Sequence, residues 1–360
     1  MTAELTDTYQ SMALLLECEP PQRDVAWLRA ALQWGVTLEF ATIPAYLYAL
    51  WSIKEPNSDP NVADMILEIV MEEMLHMALA CNMLSAIGGV PKMAEAGLVP
   101  AYPTALPGGV KPGLVVSLSG IASTSGSDQD VIKVFMDLEA PEKPLARTAE
   151  TFPTIGKFYA AILEAFKKPE NFAEFGAPGP QLNSVIAGFE LPDMTTTKDN
   201  KKVVDLTKVE RAVKLITEQG EGSDVSPNSG GELAHYYRFG EIFHGRKLKQ
   251  HPGKKWKFDG DSFPRPAVHP LGTVPRGGWN RSAASDSVKA KLDAFNTTYR
   301  ELLVKLEQVW QTADPKTPFK DSIVAMKALE GKARELVTIA LPAAENQPGR
   351  NYGPEFRLPG

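Results

Sequence analysis

The reading turns on Asn61–Gly89, NVADMILEIVMEEMLHMALACNMLSAIGG. The pattern predicts one long helix that stops at Gly88-Gly89, a common helix terminator. Taken at alternating steps of three and four, Ile66, Ile69, Glu73, His76, Ala80, Met83 and Ile87 form a core-facing stripe. Two positions of that stripe carry Glu and His where hydrocarbon is expected. A carboxylate on an apolar stripe costs several kcal/mol unless a partner compensates it. Glu-x-x-His places both side chains on one face, one turn apart. Carboxylate-bridged di-metal bundles use this spacing; a plain buried Glu–His hydrogen bond uses it too.

Upstream, Asp24 is a suitable N-cap for a helix reaching about Trp51. Its inward stripe is Leu32, Val36, Glu39, Ile43, Tyr46 and Leu50, so Glu39 is a second acid on a core face. Pro44 removes the amide that would bond the Phe40 carbonyl, which predicts a kink or bulge beside Glu39. The loop KEPNSDPN is short enough to make the two helices antiparallel neighbours.

Downstream, residues 90–153 read as an irregular insertion with a strand pair and a short helix over Asp128–Glu139. Glu139, before Ala140-Pro141, reads first as a capping acid and second as a ligand. A further helix is expected over Thr154–Lys168, with Glu164 on its small-residue second face as a third-helix ligand candidate. Another helix begins near Asp205. Helical pattern resumes at Gly231, where Glu232-x-x-His235 repeats the Glu73-x-x-His76 arrangement. Two such motifs plus Glu39 point to a bound metal pair. Carboxylates are hard, anionic and able to bridge, and two imidazoles complete a site suited to iron, though another divalent metal fits the same donors.

Beyond Gln250 a loop-rich stretch is anchored by Trp256, Phe258, Phe263 and Trp279; His251 and His269 there read as structural or exposed. Helices over Ser285–Gln311 and Phe319–Leu341 form a C-terminal hairpin, packed outside the bundle or used in a homo-oligomer contact. The expected division is 1–250 for the bundle and 251–360 for the extension.

The chain has 360 residues and 43% hydrophobic content, enough for a sizeable core. Its 44 acids exceed its 38 bases, for a formal net charge of −6, and it lacks a strong basic block. Nucleic acid is therefore not an expected partner. Cys18 and Cys81 make no CxxC pair. No signal peptide is visible at the N-terminus and no run long enough to span a membrane, so the expectation is a cytoplasmic protein.

The segments LEFATIPAYLYAL, EEMLHM, TIGKFYAAI, ITEQGEG and ELAHYYRFGEI together resemble the ferritin-like family related to iminophenyl-pyruvate dimer synthase, whose members join tryptophan-derived imines in the violacein, rebeccamycin and staurosporine pathways. The resemblance runs to about Phe243. It implies a mainly α, ferritin-like four-helix bundle with a non-haem iron site. Carried over by position, it implies Glu39, Glu73 and His76, then Glu221 of ITEQGEG, and His235 of HYYRF as ligands. Spacing favours Glu232 and the family pattern Glu221, and the sequence leaves that choice open. Relatives place an acid after the Gly of TIG, where this chain has Lys157. That departure leaves Glu164 as the third-helix candidate and puts a second ion in question.

The expected function is an iron-dependent, di-iron or mono-iron oxidoreductase acting on an amino-acid-derived small molecule with dioxygen or peroxide, with oxidative imine coupling as the family analogue. Arg238 could hold a substrate carboxylate, although an arginine snorkelling to the surface is the commoner arrangement. The rivals are a metal-binding protein without turnover, for storage or delivery, and a binding module in which Lys157 stands in for a cation.

Overall fold

The computed structural model describes residues 12–55, 60–105, 113–122, 130–141, 155–222, 226–229, 231–253 and 255–358. After a short α1 (Met12–Glu17), α2 spans Val25–Ser52 and α3 Pro60–Ala86. The Asp24 side chain accepts from the Trp27 amide at 2.8 Å, so α2 starts where its cap stands. The two helices run antiparallel: Arg29 bonds the Ile87 carbonyl at one end, and Thr42 meets Glu73 further along. Pro44 does not end α2, which continues through it. Side-chain donors serve the carbonyls nearby: Thr42 Oγ1 donates to Glu39 O at 2.8 Å and Tyr102 Oη to Ala41 O at 2.7 Å.

The expected insertion contains a two-stranded pair, β1 (Thr104–Ala105) with β2 (Val115–Val116), and a short α4 (Val131–Leu138). Asp130 caps α4 by accepting from Ile132 N. Two further bundle helices follow, α5 (Ile155–Phe166) and, after α6 (Pro169–Glu174), α7 (Leu206–Glu221). Between α6 and α7 lie two hairpins, β3 (Ser184–Ile186) with β4 (Phe189–Leu191), and β5 (Thr195–Lys198) with β6 (Lys201–Val204). The Asp205 carboxylate opens α7 by accepting from Thr207 N and Lys208 N. α5 packs on α7 and on α2. α8 (His235–His244) packs on α4 and touches α3 and α7.

One helix start differs from the sequence reading. Helix was expected from Gly231, but Glu232 lies in a short strand pair, β7 (Asn228–Ser229) with β8 (Glu232–Leu233), and α8 begins only at His235. Gly231 has φ +101°, a conformation glycine adopts without Cβ strain and one that cannot continue a helix. Glu232-x-x-His235 is therefore not a helical repeat of Glu73-x-x-His76.

The C-terminal segment begins with a hairpin, β9 (Lys249–His251) paired with β10 (Lys255–Lys257). Phe263 and Trp279 are buried, as anchors should be, whereas Trp256 and Phe258 are half-buried. Ser285 caps α9 (Asp286–Val309), which packs along α10 (Lys316–Leu336), and α10 touches α2. The irregular tail is not loose: Tyr352 and Phe356 are buried, and Phe356 stacks on Trp51 at 5.7 Å. Among the described residues, no helix is long and apolar enough to cross a membrane.

Candidate metal centre

Five ionisable side chains from four helices converge in the core. Glu39 comes from α2, Glu73 and His76 from α3, Glu139 from the end of α4, and His235 from the first residue of α8. All five are at most 3% exposed. They form two groups: in Glu39–Glu73–His76 and again in Glu73–Glu139–His235, one donor atom of each residue lies within 4.8 Å of the others. Glu73 belongs to both, and a carboxylate shared between two donor sets is the arrangement that bridges a metal pair.

The two imidazoles are mounted alike. His76 Nδ1 lies 3.9 Å from Glu39 Oε2 and 4.0 Å from Glu73 Oε2, and its Nε2 is 2.8 Å from Gln219 Oε1 on α7. His235 Nδ1 lies 2.8 Å from Glu73 Oε1 and 3.7 Å from Glu139 Oε2, and its Nε2 is 2.8 Å from Glu72 Oε2. Each ring thus turns Nδ1 to the acids and Nε2 to an outer oxygen. An outer acceptor of this kind fixes the tautomer and ring plane of a metal-binding histidine. Buried His235 Nδ1 makes no aligned hydrogen bond despite the near Glu73 oxygen. Close but misaligned donor atoms suit a cation placed between them. Three buried carboxylates and two imidazoles therefore fit a divalent metal pair by both donor chemistry and orientation.

The acids are held from outside. Tyr159 Oη donates to Glu39 Oε1 at 2.6 Å, Tyr46 Oη donates to Glu139 Oε1, and Thr42 Oγ1 donates to Glu73 Oε2 at 3.2 Å. Burial, then the Glu73 charge, pushes the Glu39 carboxyl well above its ordinary value. Burial alone would raise Glu73 as well, but the close approach of the His235 ring and that ring's charge outweigh it and bring Glu73 down. Burial would lower His235, but the Glu139, Glu72 and Glu73 carboxylates raise it well above its usual range. Burial lowers His76.

A pH dependence follows. Raised Glu39 and His235 contribute stability that is full below their ordinary values of 4.5 and 6.5 and is lost as pH rises through the folded values. Metal uptake must expel those protons. In the metal-stripped protein these two groups lower the thermal midpoint as pH rises from about 6 to 8, and added Fe(II) or Mn(II) raises it most at the alkaline end. Calorimetric melts across that range, with and without metal, check this.

Not every candidate from the sequence arrives. Glu164 points outward, its side chain 71% exposed, and pairs with Arg23 at 3.4 Å. It lies half a turn off the buried face of α5, away from the converging acids. Glu232 is exposed, beside Glu68, because the strand pair holds it before α8 begins. Glu221, the last residue of α7, borders the site: its Oε1 accepts from Gly156 N at 2.9 Å, and it shares a small cavity with Glu39, Glu73, His76 and Glu139. Lys157 is exposed rather than set among the acids. Arg238 is buried, not snorkelling: it pairs with Glu72 and lies 3.8 Å from Glu68. Replacing Glu164 or Glu232 with Ala is expected to leave metal content unchanged and stability within about 0.5 kcal/mol, checked by elemental analysis and urea titration.

Sequence reading missed Glu72 and Gln219, and ranked Glu139 as a ligand only in second place. Glu139 showed only as an acid at a helix end, although its apolar run with Phe135 and Leu138 was a sign of burial. Glu72, adjacent to Glu73, sits off the stripe and gave no signal until α8 was placed beside it.

A ferritin-like family model matches residues 32–244, which hold all five converging side chains. Among curated proteins the chain is similar to dichlorochromopyrrolate synthase of Lentzea aerocolonigenes, 24% identical over 383 aligned positions. That match covers 91% of this chain but 35% of the relative, so the chain spans about a third of the length of the synthase. Among solved structures it is similar to a ferritin-like protein from Caulobacter vibrioides, with a TM-score of 0.58, 21% identity, and coverage of 85% of this chain and 93% of that one. With the family model matching more than half its length, the chain belongs to the ferritin-like family.

Proposed function

We propose that the protein is a non-haem iron oxidoreductase, built for an iron pair, that acts on an amino-acid-derived small molecule and uses dioxygen or peroxide as oxidant. The observation that carries this reading is Glu73, whose carboxylate serves two His-containing donor groups at once. Glu39 and His76 would complete one position, and Glu139 and His235 the other. Bound there, iron supplies redox chemistry towards dioxygen or peroxide.

The protein's own groups do the rest. Gln219 and Glu72 hold both imidazoles with Nδ1 inward. Tyr159 and Tyr46 keep Glu39 and Glu139 oriented through phenol–carboxylate bonds. Burial of the whole set strengthens each electrostatic interaction within it. The cavity beside the acids is about 10 Å³, walled by Ile155, Ile216 and Thr217. That is room for about one water-sized molecule, which suits a small oxidant.

Similarity to a synthase supports an organic small molecule as the other reactant, and oxidative coupling of imines is the specific reaction to test first. Load the protein with Fe(II) under anaerobic conditions, measure bound iron, then follow dioxygen uptake with imines made from tryptophan or phenylalanine. Substrate-dependent uptake supports the reading. Iron below about half an equivalent per chain would sink it, since a site with this many ligands binds tightly.

The narrow cavity favours one other reading, metal storage or delivery without turnover, because it has no room for an organic reactant. Full iron loading with no dioxygen uptake above buffer for any amine or imine would favour that alternative.

A further inference from the structure

The other face of the helices that carry the acids is apolar and partly hollow. Between α2/α3 on one side and the α9/α10 hairpin on the other lies a cavity of about 370 Å³. Its floor includes Phe40, Ile43, Met74 and Met77, each within a few residues of Glu39 or Glu73; Leu303 and Met326 close it from the hairpin. It is distinct from the metal centre, which opens on the α5/α7 side.

Among the described residues, the lining has no Ser, Thr, Asn, Gln or His; its polar side-chain groups are the Tyr299 hydroxyl, the Trp310 indole N–H, already donated to Asn82, and the charged Lys327 and Glu330. Water confined there would find few partners, since an ordered buried water needs two to four polar contacts. Left empty, the lining would lose dispersion contacts across the gap. The volume falls within the range of roughly 300–1,000 Å³ typical of small-molecule sites. Met71, Met74, Met77 and Met326 in the wall are flexible and polarisable, so the cavity can mould to a chain without a fixed shape.

The mouth is apolar and then cationic. Leu67 and Ile323 line it while 46% and 36% exposed. Glu330 is already tied to Arg334 at 3.3 Å. Lys327 is exposed and, among the described residues, has no carboxylate within ion-pair distance. A hydrocarbon-lined cavity with one uncommitted, exposed ammonium on its wall matches a chain that ends in an anion.

We propose that this cavity binds a single-chain carboxylate amphiphile of the fatty-acid class, with its hydrocarbon chain between α2/α3 and the α9/α10 hairpin and its carboxylate at Lys327. The chain would lie against the back of the helices that carry Glu39 and Glu73 without reaching the acids.

The test is isothermal titration of the 360-residue protein, without added metal, with dodecanoate below its micelle concentration, with dodecanol as the uncharged control. Saturable binding of about one dodecanoate per chain is expected, as for a single pocket of this size. Ile323→Trp and Met326→Trp, which narrow the mouth and fill the roof, should each weaken it at least about tenfold. Circular dichroism and cooperative thermal melts show that these variants are folded. Lys327→Glu should weaken dodecanoate about tenfold and leave dodecanol unaffected. Absence of saturable binding overturns the proposal. So does binding that neither tryptophan variant alters, or a dimer in sedimentation that buries this face in place of a ligand. Iron loading and oxidase activity do not enter the test, so it stands apart from the function proposed above.

Discussion

Glu73→Ala is expected to remove both metal positions together. The wild-type protein should take up close to two Fe(II) per chain, and the variant less than about a tenth of that under the same conditions, because among the described residues no other carboxylate belongs to both donor groups. Glu39→Ala should spare the Glu139–His235 side, and Glu139→Ala the Glu39–His76 side, each leaving about one ion if the groups bind independently. Elemental analysis after desalting reads all three. If Glu73→Ala retains a full complement, the shared-carboxylate arrangement is wrong, and with it the proposed function. Thermal melts in chelator separate this outcome from misfolding. Glu73 also accepts from Thr42 and lies against His235, so Glu73→Gln should keep most of the fold while losing the metal.

Glu72→Ala has the largest expected effect on stability. Glu72 is buried, pairs with buried Arg238, and is 2.8 Å from His235 Nε2. Burial would raise its carboxyl, but the His235 hydrogen bond and charge and Arg238 lower it to about 2. Its stabilising contribution is therefore present above its ordinary value of 4.5 and is lost as pH falls towards 2. Removing it leaves a buried guanidinium whose one remaining counter-charge among the described residues is Glu68, 61% exposed and 3.8 Å away. A broken buried pair of this kind costs about 3–5 kcal/mol, and the exposed Glu68 places this case near 3. Urea unfolding at pH 7 checks it. Glu72→Ala with Arg238→Met should recover much of the loss, since no charge is then stranded. The double variant should still bind metal about tenfold more weakly, because His235 has lost its outer acceptor. A single variant as stable as wild type would show that Arg238 is hydrated rather than buried.

What the sequence disclosed, and what it did not, divides along local and long-range lines. Glu39, Glu73 and His76 stood out because each interrupts a hydrocarbon stripe on a long helix, and periodicity alone fixes which face is inward. The helix start at Val25 followed from Asp24 as a cap, and those at Leu206 and Asp286 were placed near Asp205 and Ser285, whose side chains the structure shows accepting from amides of the first turn. Glu232 misled because Glu-x-x-His means one face only within a helix, and the Asn228–Leu233 strand pairing is a contact that spacing does not encode. Glu139 was undervalued for the opposite reason: an acid closing a short helix looks like a cap until Tyr46, 93 positions away, is seen donating to it. Gln219 and Glu72 act through neighbours on other helices, and no single-strand pattern announces such a role.

The unequal mounting of the two donor groups has a consequence for assembly. Glu39, Glu73 and His76 all stand on one antiparallel pair of consecutive helices, whose contacts are short-range in sequence and so favour early closure, whereas Glu139 ends an eight-residue helix and must meet the head of another before its group exists. A chain caught partway to its final form would already own the first seat for a cation but not the second. Iron added during refolding should then be taken up in a fast phase and a slow one, the slow phase keeping time with the arrival of that small helix.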